Sequence, residues 1–311
     1  MKTYFGSTQL DLRYPPKTIV AIGNFDGVHL GHQEILKEAQ WLGQSMGCSV
    51  TCYTFCPHPT IELRPEAKIN LLMTYEEKRL ALANHQIDFC VEERFDSDFS
   101  KISAEDFFKK ILKDRLKAVG IVVGQDFAFG KKREGTLSVL NQYCIDTRTE
   151  LRIVPQVLIE GEAVSSSRIR KTLALGNVEL ARKLLGRAFS YSGEVIHGNK
   201  RGRTIGFPTA NMKCEEKFPL RPGVYATSVI WRGVEYQSVT NIGTQPTFQN
   251  SELKIETYIL DQNFELYGEI LEVRFHSSIR DVQKFASIDE LKKQIQTDTI
   301  LAKARLNAGY F

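Results

Sequence analysis

The sequence predicts an α/β protein with two domains: a doubly wound parallel sheet, followed by an antiparallel β-barrel with a terminal helix. Residues 1–185 alternate short apolar runs with helical patterns, which is typical of parallel βαβ units. From about residue 189 the strand-like segments follow one another without helices between them, which favours a small barrel or sandwich. The 311 residues also exceed what one hydrophobic core comfortably serves. We therefore expect one domain in residues 1–185 and another in residues 186–311.

Apolar runs and helical patterns define the elements of the first domain. The strands are expected at Thr18–Ile22, Val50–Phe55, Phe89–Val91, Val119–Val123 and Leu151–Val154. The helices are expected at Leu30–Leu42, from Thr74 to Ala83, at Ala104–Leu116 and at Leu137–Tyr143. The capping box Thr74-x-x-Glu77 opens the second of these helices. Since ligands of open parallel sheets bind beyond the carboxyl ends of the strands, we expect chemistry in the loops there.

Strand-like segments and turns dominate the second domain. The strands are expected at Ser192–His197, Val224–Trp231, Val234–Asn241, Leu253–Leu260 and Ile270–Phe275, with turns at Arg232-Gly233 and Asp261-Gln262-Asn263. A final helix opens with the capping box Ser287-x-x-Glu290 and is expected to present Leu291, Ile295 and Leu301 as an apolar stripe.

Composition and charge exclude several classes of protein. The chain has 41 Lys and Arg against 37 Asp and Glu, and its net charge of +4 is too mild and too scattered to predict a nucleic-acid partner. The N-terminus lacks the pattern of a signal peptide and no apolar run reaches transmembrane length, so we expect a cytoplasmic protein without a membrane partner. The six cysteines form no CxxC pair, which favours free thiols in a reducing compartment. The oligomeric state is not predicted by any of these features.

The first segment with chemical character is GNFDGVHLGH, from Gly23 to His32, between the first strand and the first helix. Its glycines allow the backbone to approach a ligand, and the helix N-terminus offers unpaired N–H groups and a positive dipole to an anion. His29 and His32 are three residues apart and share a face of the first helical turn. Two imidazole donors in this place suit a phosphate whose charge grows in a transition state.

Two other interpretations of this histidine pair stay open. The segment could be a surface turn with incidental histidines, although a chain with six histidines in 311 residues seldom produces this pattern by chance. The pair could also bind a metal, but no cluster of further Cys, His or carboxylate residues accompanies it in the sequence.

A second candidate anion site is the string SSSRIR, from Ser165 to Arg170. Its hydroxyl groups can cap a helix that runs to Gly176, and Arg168 in the first turn adds a cation. A simple helix cap with an exposed arginine would explain the same residues without a ligand.

The third candidate is a glycine-rich loop between His197 and Asn211. Glycines recur there every fourth residue among basic side chains, which suits a polyphosphate clamp although it is not the Walker pattern. A β-hairpin loop would look similar. Thr209 and Asn211 lie on one side of an extended chain, and their hard oxygen atoms suit Mg²⁺.

Taken together, these strings resemble a known family. GNFDGVHLGH resembles the HxGH nucleotidyltransferase superfamily, and in particular the bacterial bifunctional riboflavin kinase/FMN adenylyltransferases. Further strings resemble this family in order: Thr54–Pro59 its TFxPHP, Val123–Gly130 its VGxDFxFG, and Ser165–Arg170 its SSTxIR. Ser167 replaces the usual Thr of the last string and keeps its hydroxyl group.

The second half of the chain resembles the riboflavin kinase domain of the same family, whose GFPTAN segment occurs at residues 206–211. The other matching segments are Pro222–Tyr225, Asn241–Phe248, Ile255–Tyr258, Leu266–Gly268 and Ile279–Arg280. The resemblance extends over roughly residues 17–305. It implies a nucleotidyltransferase domain that transfers AMP from ATP to FMN, giving FAD and pyrophosphate. It also implies a kinase domain that uses ATP and Mg²⁺ to phosphorylate riboflavin to FMN.

The resemblance also implies roles for individual residues. The catalytic residues would be Glu256, as the base, and His29, His32 and Arg168. Nucleotide contacts would come from Gly23, Asn24, Phe25, Asp26, Gly27, Gly31, Ser166, Ser167, Gly198, Gly202, Arg203, Gly206, Pro208 and Asn211. Flavin contacts would come from Pro57, His58, Asp126, Tyr225 and Arg280. The magnesium ligands would be Thr209 and Asn211. Without the family, Glu256 would be interpreted as a solvated glutamate on a strand.

Two competing functions remain at this point. Another HxGH enzyme, such as a pantetheine-phosphate adenylyltransferase, would be a single α/β domain and would not explain the β-rich half. A non-catalytic flavin-binding regulatory protein would be expected to lose reactive side chains, whereas His29, His32, Thr209 and Glu256 are all present.

Overall fold

The computed structural model describes residues 1–67, 69–198, 205–212, 218–246 and 251–309. The chain divides into two compact units, Met1–Ser166 and Ser167–Phe311. The first contains a six-stranded sheet and the second a closed six-stranded barrel, which confirms the predicted fold class.

The sheet of the first unit is parallel throughout, with strand order β1-β4-β3-β2-β5-β6. Its strands are β1 (Lys2–Tyr4), β2 (Thr18–Ile22), β3 (Ser49–Cys56), β4 (Phe89–Arg94), β5 (Ala118–Gly124) and β6 (Glu150–Val154). The edge strand β1 was not predicted, because three residues are too few to show a period. A short hairpin, β7 (Leu158–Ile159) and β8 (Glu162–Ala163), follows the sheet.

Helices cover both faces of this sheet. The helices are α1 (Leu30–Met46), α2 (Pro59–Leu63), α3 (Tyr75–Asn84), α4 (Ala104–Asp106), a π-helix that continues α4 (Phe107–Arg115), and α5 (Leu137–Asp146). Short 3₁₀ turns occur at Ser7–Gln9, Pro65–Ala67, Phe99–Lys101 and Lys131–Arg133. The predicted capping box of α3 is complete, with Thr74 Oγ1 accepting from Glu77 N–H at 3.1 Å and Glu77 Oε2 accepting from Thr74 N–H at 2.8 Å.

The fully buried strand β2 shows why the sheet needs cover on two sides. Its side chains alternate between faces, so Ile19 packs in one core together with Leu36 of α1. Val20 packs in the opposite core together with Phe108 of the π-helix. Such strands appear in sequence as continuous apolar runs, as expected for a doubly wound fold.

The second unit is an antiparallel barrel with strand order β10-β13-β12-β11-β14-β9. Its strands are β9 (Phe189–Ile196), β10 (Ala210–Met212), β11 (Gly223–Trp231), β12 (Val234–Pro246), β13 (Ser251–Ile259) and β14 (Ile270–Arg280). Helices α6 (Ser166–Ala174) and α7 (Val178–Leu185) precede the barrel and α8 (Ile288–Asn307) follows it. The sequence predicted β10 only as extended chain.

The boundary between the compact units, after Ser166, lies earlier in the chain than the change of sequence pattern at residue 186. Helix α7 packs against β14, where Ser278 N–H donates to Glu179 Oε1 at 3.2 Å. Before it, Arg221 N–H donates to the carbonyl of Leu173 at 3.1 Å. Residues 167–185 therefore form one compact body with the barrel. The functional domains of residues 1–185 and 186–311 remain a prediction.

The terminal helix α8 begins as predicted, and its buried face departs from the predicted stripe at Leu301. Ser287 Oγ accepts from Glu290 N–H at 3.2 Å. The buried face carries Asp298, Ala302 and Leu306, whereas Leu301 is 40% exposed. The predicted stripe was therefore wrong at Leu301, because Asp298 was not expected on the apolar face.

Two findings concern other expectations. The five cysteines within the described residues are free thiols, and Cys52, Cys90 and Cys144 are buried. Cys214 lies outside the described residues. Over the described parts of the chain, no helix has both the length and the apolar character needed to cross a membrane.

Candidate active sites

The loop between β2 and α1 is held in an unusual backbone conformation by its own apolar side chains. Phe25 and Val28 are almost completely buried, and both have positive φ, 52° and 39°. A β-branched residue such as Val28 rarely adopts this conformation. Strained backbone of this kind concentrates at functional sites, where the surrounding packing maintains it. Gly27, between these two residues, also has a positive φ of 85°. The loop is therefore preorganised.

His29 is the N-cap of α1, and its Nδ1 accepts from His32 N–H at 3.3 Å. An imidazole that accepts at Nδ1 carries its proton at Nε2 when it is neutral. The two histidine rings stack, with centroids 3.6 Å apart and planes 16° apart. A Cβ at position 31 would lie 3.3 Å from the His29 ring, so Gly31 leaves room for it.

The pKa of His32 is held well below its ordinary value. Loss of solvation on burial is the main cause, and the charges of His29 and Lys78 act in the same direction. A neutral imidazole at pH 7 donates a single hydrogen bond. His32 can therefore donate a hydrogen bond to an anion without being protonated first.

Asp26 connects this loop to the rest of the first unit. It is 4% exposed, and its Oδ1 accepts from Leu72 N–H at 2.9 Å. Its carbonyl accepts from the hydroxyl group of Ser166 at 2.9 Å. The structure thus places the Ser166 hydroxyl on the loop backbone. Ser167 and Arg168 lie in the first turn of α6, at the start of the second unit.

A small pocket lies beside this loop, at the carboxyl ends of β2 and β3. It is lined by Asn24, Asp26, Phe55, His58, Leu71, Met73, Thr74, Tyr75 and Lys78. His58 caps α2 through Nδ1, which accepts from Thr60 N–H at 3.2 Å. The backbone N–H of His58 donates to the Tyr75 hydroxyl at 2.8 Å. The structure brings His58 together with Asn24 and Asp26 in this pocket. The sequence analysis did not identify Tyr75 and Lys78 as pocket residues. The capping box predicted only that both residues lie on α3.

Asp126 and Pro57 occupy loops at the same edge of the sheet. Asp126 follows β5 directly and is exposed, and its Oδ1 would lie 3.1 Å from a Cβ at position 124. The carboxyl ends of parallel strands meet at one edge, so Asp126 lies at the edge that carries the His29 loop. Neither Asp126 nor Pro57 lines the pocket.

In the second unit, strand pairing aligns polar side chains across three strands. Glu256 on β13 lies directly opposite Asn211 on β10 and Asn241 on β12. Residues opposite each other in antiparallel strands point to the same face. Asn241 Nδ2 donates to Glu256 Oε2 at 3.4 Å. The strand register therefore collects one carboxylate and two amides on one face.

Thr209 and Asn211 border a pocket of about 60 Å³. The other lining residues are Val195, Gly198, Pro208, Ala210, Thr257, Ile259, Gln262, Phe264, Glu265, Leu266 and Tyr267. Asn211 Nδ2 donates to the Thr209 carbonyl at 3.3 Å, which leaves its Oδ1 to accept from or coordinate a ligand. Gly206 has a φ of 88°, and no atom lies within 4 Å of where its Cβ would be. Gly202 and Arg203 lie outside the described residues.

Gly198 lies so close to the Asn211 side chain that any larger residue would have to displace it. A Cβ at position 198 would be 2.4 Å from Asn211 Cγ. If the barrel has the kinase activity that the resemblance implies, Gly198→Ala is expected to displace the amide and to slow that reaction roughly 10- to 100-fold, the scale of a 1 Å misplacement. Steady-state kinetics at varied Mg²⁺ measure this effect. In an Asn211→Ala background the same change should cost little, and an additive loss would contradict the explanation.

Tyr225 and Arg280 are both tied to other parts of the second unit. Tyr225 is 1% exposed, its hydroxyl donates to the Arg221 carbonyl at 2.6 Å, and burial raises its pKa to about 12. Arg280 makes a two-pronged ion pair with Asp298 of α8, with Nη2 to Oδ2 at 2.8 Å. Neither residue lines the pocket beside Asn211.

Comparison with known proteins gives two family matches that together extend over most of the chain. A family model described as FAD synthetase matches residues 12–168, and one described as riboflavin kinase matches residues 185–306. Proteins named bifunctional riboflavin kinase/FMN adenylyltransferase include one from Buchnera aphidicola, 36% identical over 93% of this chain and 94% of that protein. The Escherichia coli K12 protein of that name is 37% identical, over 92% of this chain and 91% of its own length. The chain belongs to the bifunctional riboflavin kinase/FMN adenylyltransferase family.

A solved structure has the same fold along nearly the whole chain. It is described as a macrolide-efflux protein from Streptococcus pneumoniae, and it is 32% identical, with a TM-score of 0.89 over 97% of this chain and 98% of that one. The likeness extends through both units.

Membership of this family resolves the competing functions. The chain is an enzyme, a bifunctional riboflavin kinase and FMN adenylyltransferase. A single-domain HxGH adenylyltransferase is excluded, because the riboflavin kinase model matches the barrel. The loop with His29 and His32 lies within the FAD synthetase match, and the row of Asn211, Glu256 and Asn241 lies within the riboflavin kinase match.

Proposed function

We propose that the barrel phosphorylates riboflavin and that the parallel-sheet unit adenylylates the FMN produced, with the residues identified above. The observation that carries the proposal is the strand register that sets Glu256 opposite Asn211. A carboxylate next to a cluster of hard oxygen ligands is what phosphoryl transfer to a hydroxyl group requires. ATP is the co-substrate of both reactions.

In the kinase reaction, Glu256 would accept the proton of the ribityl 5′-hydroxyl as the bond to phosphorus forms. The donor set beside it fits Mg²⁺, because the Thr209 hydroxyl and Asn211 Oδ1 are hard oxygen atoms. Magnesium bound there would supply charge neutralisation for the ATP phosphates. Asn241 would orient Glu256 through its hydrogen bond to Oε2. Gly198, Gly206 and Pro208 would shape the backbone around the nucleotide, with Gly202 and Arg203 nearby in sequence.

In the adenylyl transfer, the FMN phosphate is already ionised near pH 7, so no strong base is required. His29 and His32 would instead donate hydrogen bonds to the transferring α-phosphate and the leaving pyrophosphate, together with Arg168. The backbone from Gly23 to Gly31 would receive the nucleotide. His58, Pro57 and Asp126 would contact the flavin of FMN.

The setting of both reactions is also part of the proposal. We place the enzyme in the cytoplasm, with small molecules as its substrates and with neither nucleic acid nor a membrane as a partner. The mild, scattered charge supports this setting.

Separation of the two units tests the proposal. Incubation of the full chain with riboflavin, ATP and Mg²⁺ should yield FMN and then FAD by chromatography. A fragment of residues 167–311 is expected to fold and to form FMN but no FAD. A shorter fragment of residues 186–311 should be less stable, because it lacks Val178, Ala181, Leu184 and Leu185, which α7 buries. FAD formation by either fragment would contradict the assignment of activities.

A further inference from the structure

Lys78 on α3 is a buried cation without a role in the chemistry described above. It is 3% exposed, and its Nζ donates to Thr54 Oγ1 and to the Phe55 carbonyl, both at 3.1 Å. Glu92 Oε1 lies 3.7 Å from the same nitrogen. Lysines are almost never fully buried unless they are paired, so this arrangement requires an explanation.

The ammonium group sets the direction of a short hydrogen-bond chain. An ammonium can only donate, so the Thr54 oxygen must accept from Lys78. The Thr54 proton is then directed to the carbonyl of Asn24, at 3.0 Å. Hydrogen bonds in such a chain strengthen one another, and those from a charged donor are the strongest. The positive charge on α3 is thereby connected to the backbone of the loop that carries His29.

Acidic side chains of the same unit lie near this lysine. Glu92 has a side chain only 1% exposed and also pairs with Arg79 at 2.8 Å. Asp26 lines the same pocket as Lys78. Lys78 therefore has a buried carboxylate as its ion-pair partner.

We propose that Lys78 is a positioning residue for adenylyl transfer. Through Thr54 it holds the Asn24 carbonyl, and with it the start of the strained loop that ends at His29. The strained backbone of the loop must be maintained before any ligand binds. The hydrogen-bond chain from Lys78 connects the loop to strand β3 and helix α3.

Removal of the charge tests this role. Lys78→Met keeps the aliphatic stem and loses the ammonium. It is expected to lower kcat/KM for FAD formation from supplied FMN about 10- to 100-fold, the range for losing hydrogen bonds to a charged group. Riboflavin phosphorylation should not change. Thr54→Val should produce a loss similar to that of Lys78→Met, and Thr54→Ser, which keeps the hydroxyl, should restore most of the activity.

Lys113 provides a matched control in the same unit. Its Nζ donates to the Ala118 carbonyl at 2.6 Å and to Thr149 Oγ1 at 2.7 Å, the same two kinds of acceptor, at the amino ends of the strands. Lys113→Met is therefore expected to affect thermal unfolding without affecting adenylyl transfer. If it lowers FAD formation as much as Lys78→Met does, Lys78 serves only stability.

A double-mutant cycle separates a connected chain from two independent contacts. If Lys78 acts through Thr54, the Lys78→Met/Thr54→Val variant should lose little more activity than the worse single variant. Losses that multiply would overturn the proposal, and so would Thr54→Val with wild-type kinetics. Because Thr54→Val introduces no unpaired charge, it tests the proposal even if Lys78→Met does not fold.

Discussion

Glu256→Gln is expected to slow FMN formation by about 10²- to 10⁴-fold, the usual contribution of a general base. Glutamine keeps the shape of the side chain and can still contact Asn241, but it cannot take up the proton of the ribityl hydroxyl. Binding of ATP and riboflavin should change little, because the proton leaves only as the new bond forms. Single-turnover measurements of riboflavin phosphorylation, with separate binding titrations, measure both quantities.

A second glutamate of the barrel provides the control for this experiment. Glu272 lies on β14 and pairs with Arg274 at 2.8 Å, so it represents a strand glutamate with a purely structural partner. Glu272→Gln should leave both activities near the wild-type rate. FAD formation from supplied FMN should persist in Glu256→Gln, since the other unit performs it. If Glu256→Gln phosphorylates riboflavin at the wild-type rate, Glu256 is a solvated strand residue and the base lies elsewhere.

Replacement of His29 or His32 by Ala is expected to lower FAD formation by roughly 10²-fold or more, the cost of losing a transition-state donor. Riboflavin phosphorylation should be nearly unchanged. His29 is also the N-cap of α1, so its removal costs about 0.5–2 kcal/mol of stability as well. His29→Asn separates the two roles, because Asn caps a helix well but lacks the imidazole N–H. Kinetics of FAD formation and thermal unfolding of all three variants give the comparison.

One result would contradict the histidine assignment, and another would contradict the lowered pKa of His32. If His29→Asn and His32→Ala both form FAD at the wild-type rate, the histidines serve only to build the loop. The pKa of His32 is held below its ordinary value, so the ring should remain neutral as the pH falls from 8 to about 6.5. Loss of FAD formation with a midpoint near pH 6.5 that disappears in His32→Ala would mean that the ring titrates normally.

Local sequence signals predicted the secondary structure and the loops that are the candidate sites. The continuous apolar run Thr18–Ile22 predicted a strand covered on both faces, because only such a strand can exclude polar residues from both sides. Thr74 and Glu77 predicted a helix start through hydrogen bonds between residues three apart. Glycines and histidines at a strand-to-helix junction predicted an anion site, and the spacing of three residues predicted that His29 and His32 lie together.

Only the tertiary structure decided which elements share a core and which distant groups meet. Helix α7 has an apolar face that either unit could cover, and its packing on β14 assigns it to the barrel. Asp298 faces inward from α8 because it pairs with Arg280 of β14. The two residues are 18 positions apart, so the helical period of the sequence could not predict this pair. From the sequence, Lys78 would be interpreted as an ordinary lysine on a helix. Its burial against Thr54 and Glu92 in the structure makes it a candidate for function. Periodicity and capping depend on neighbours within one turn, whereas these contacts depend on how whole elements pack.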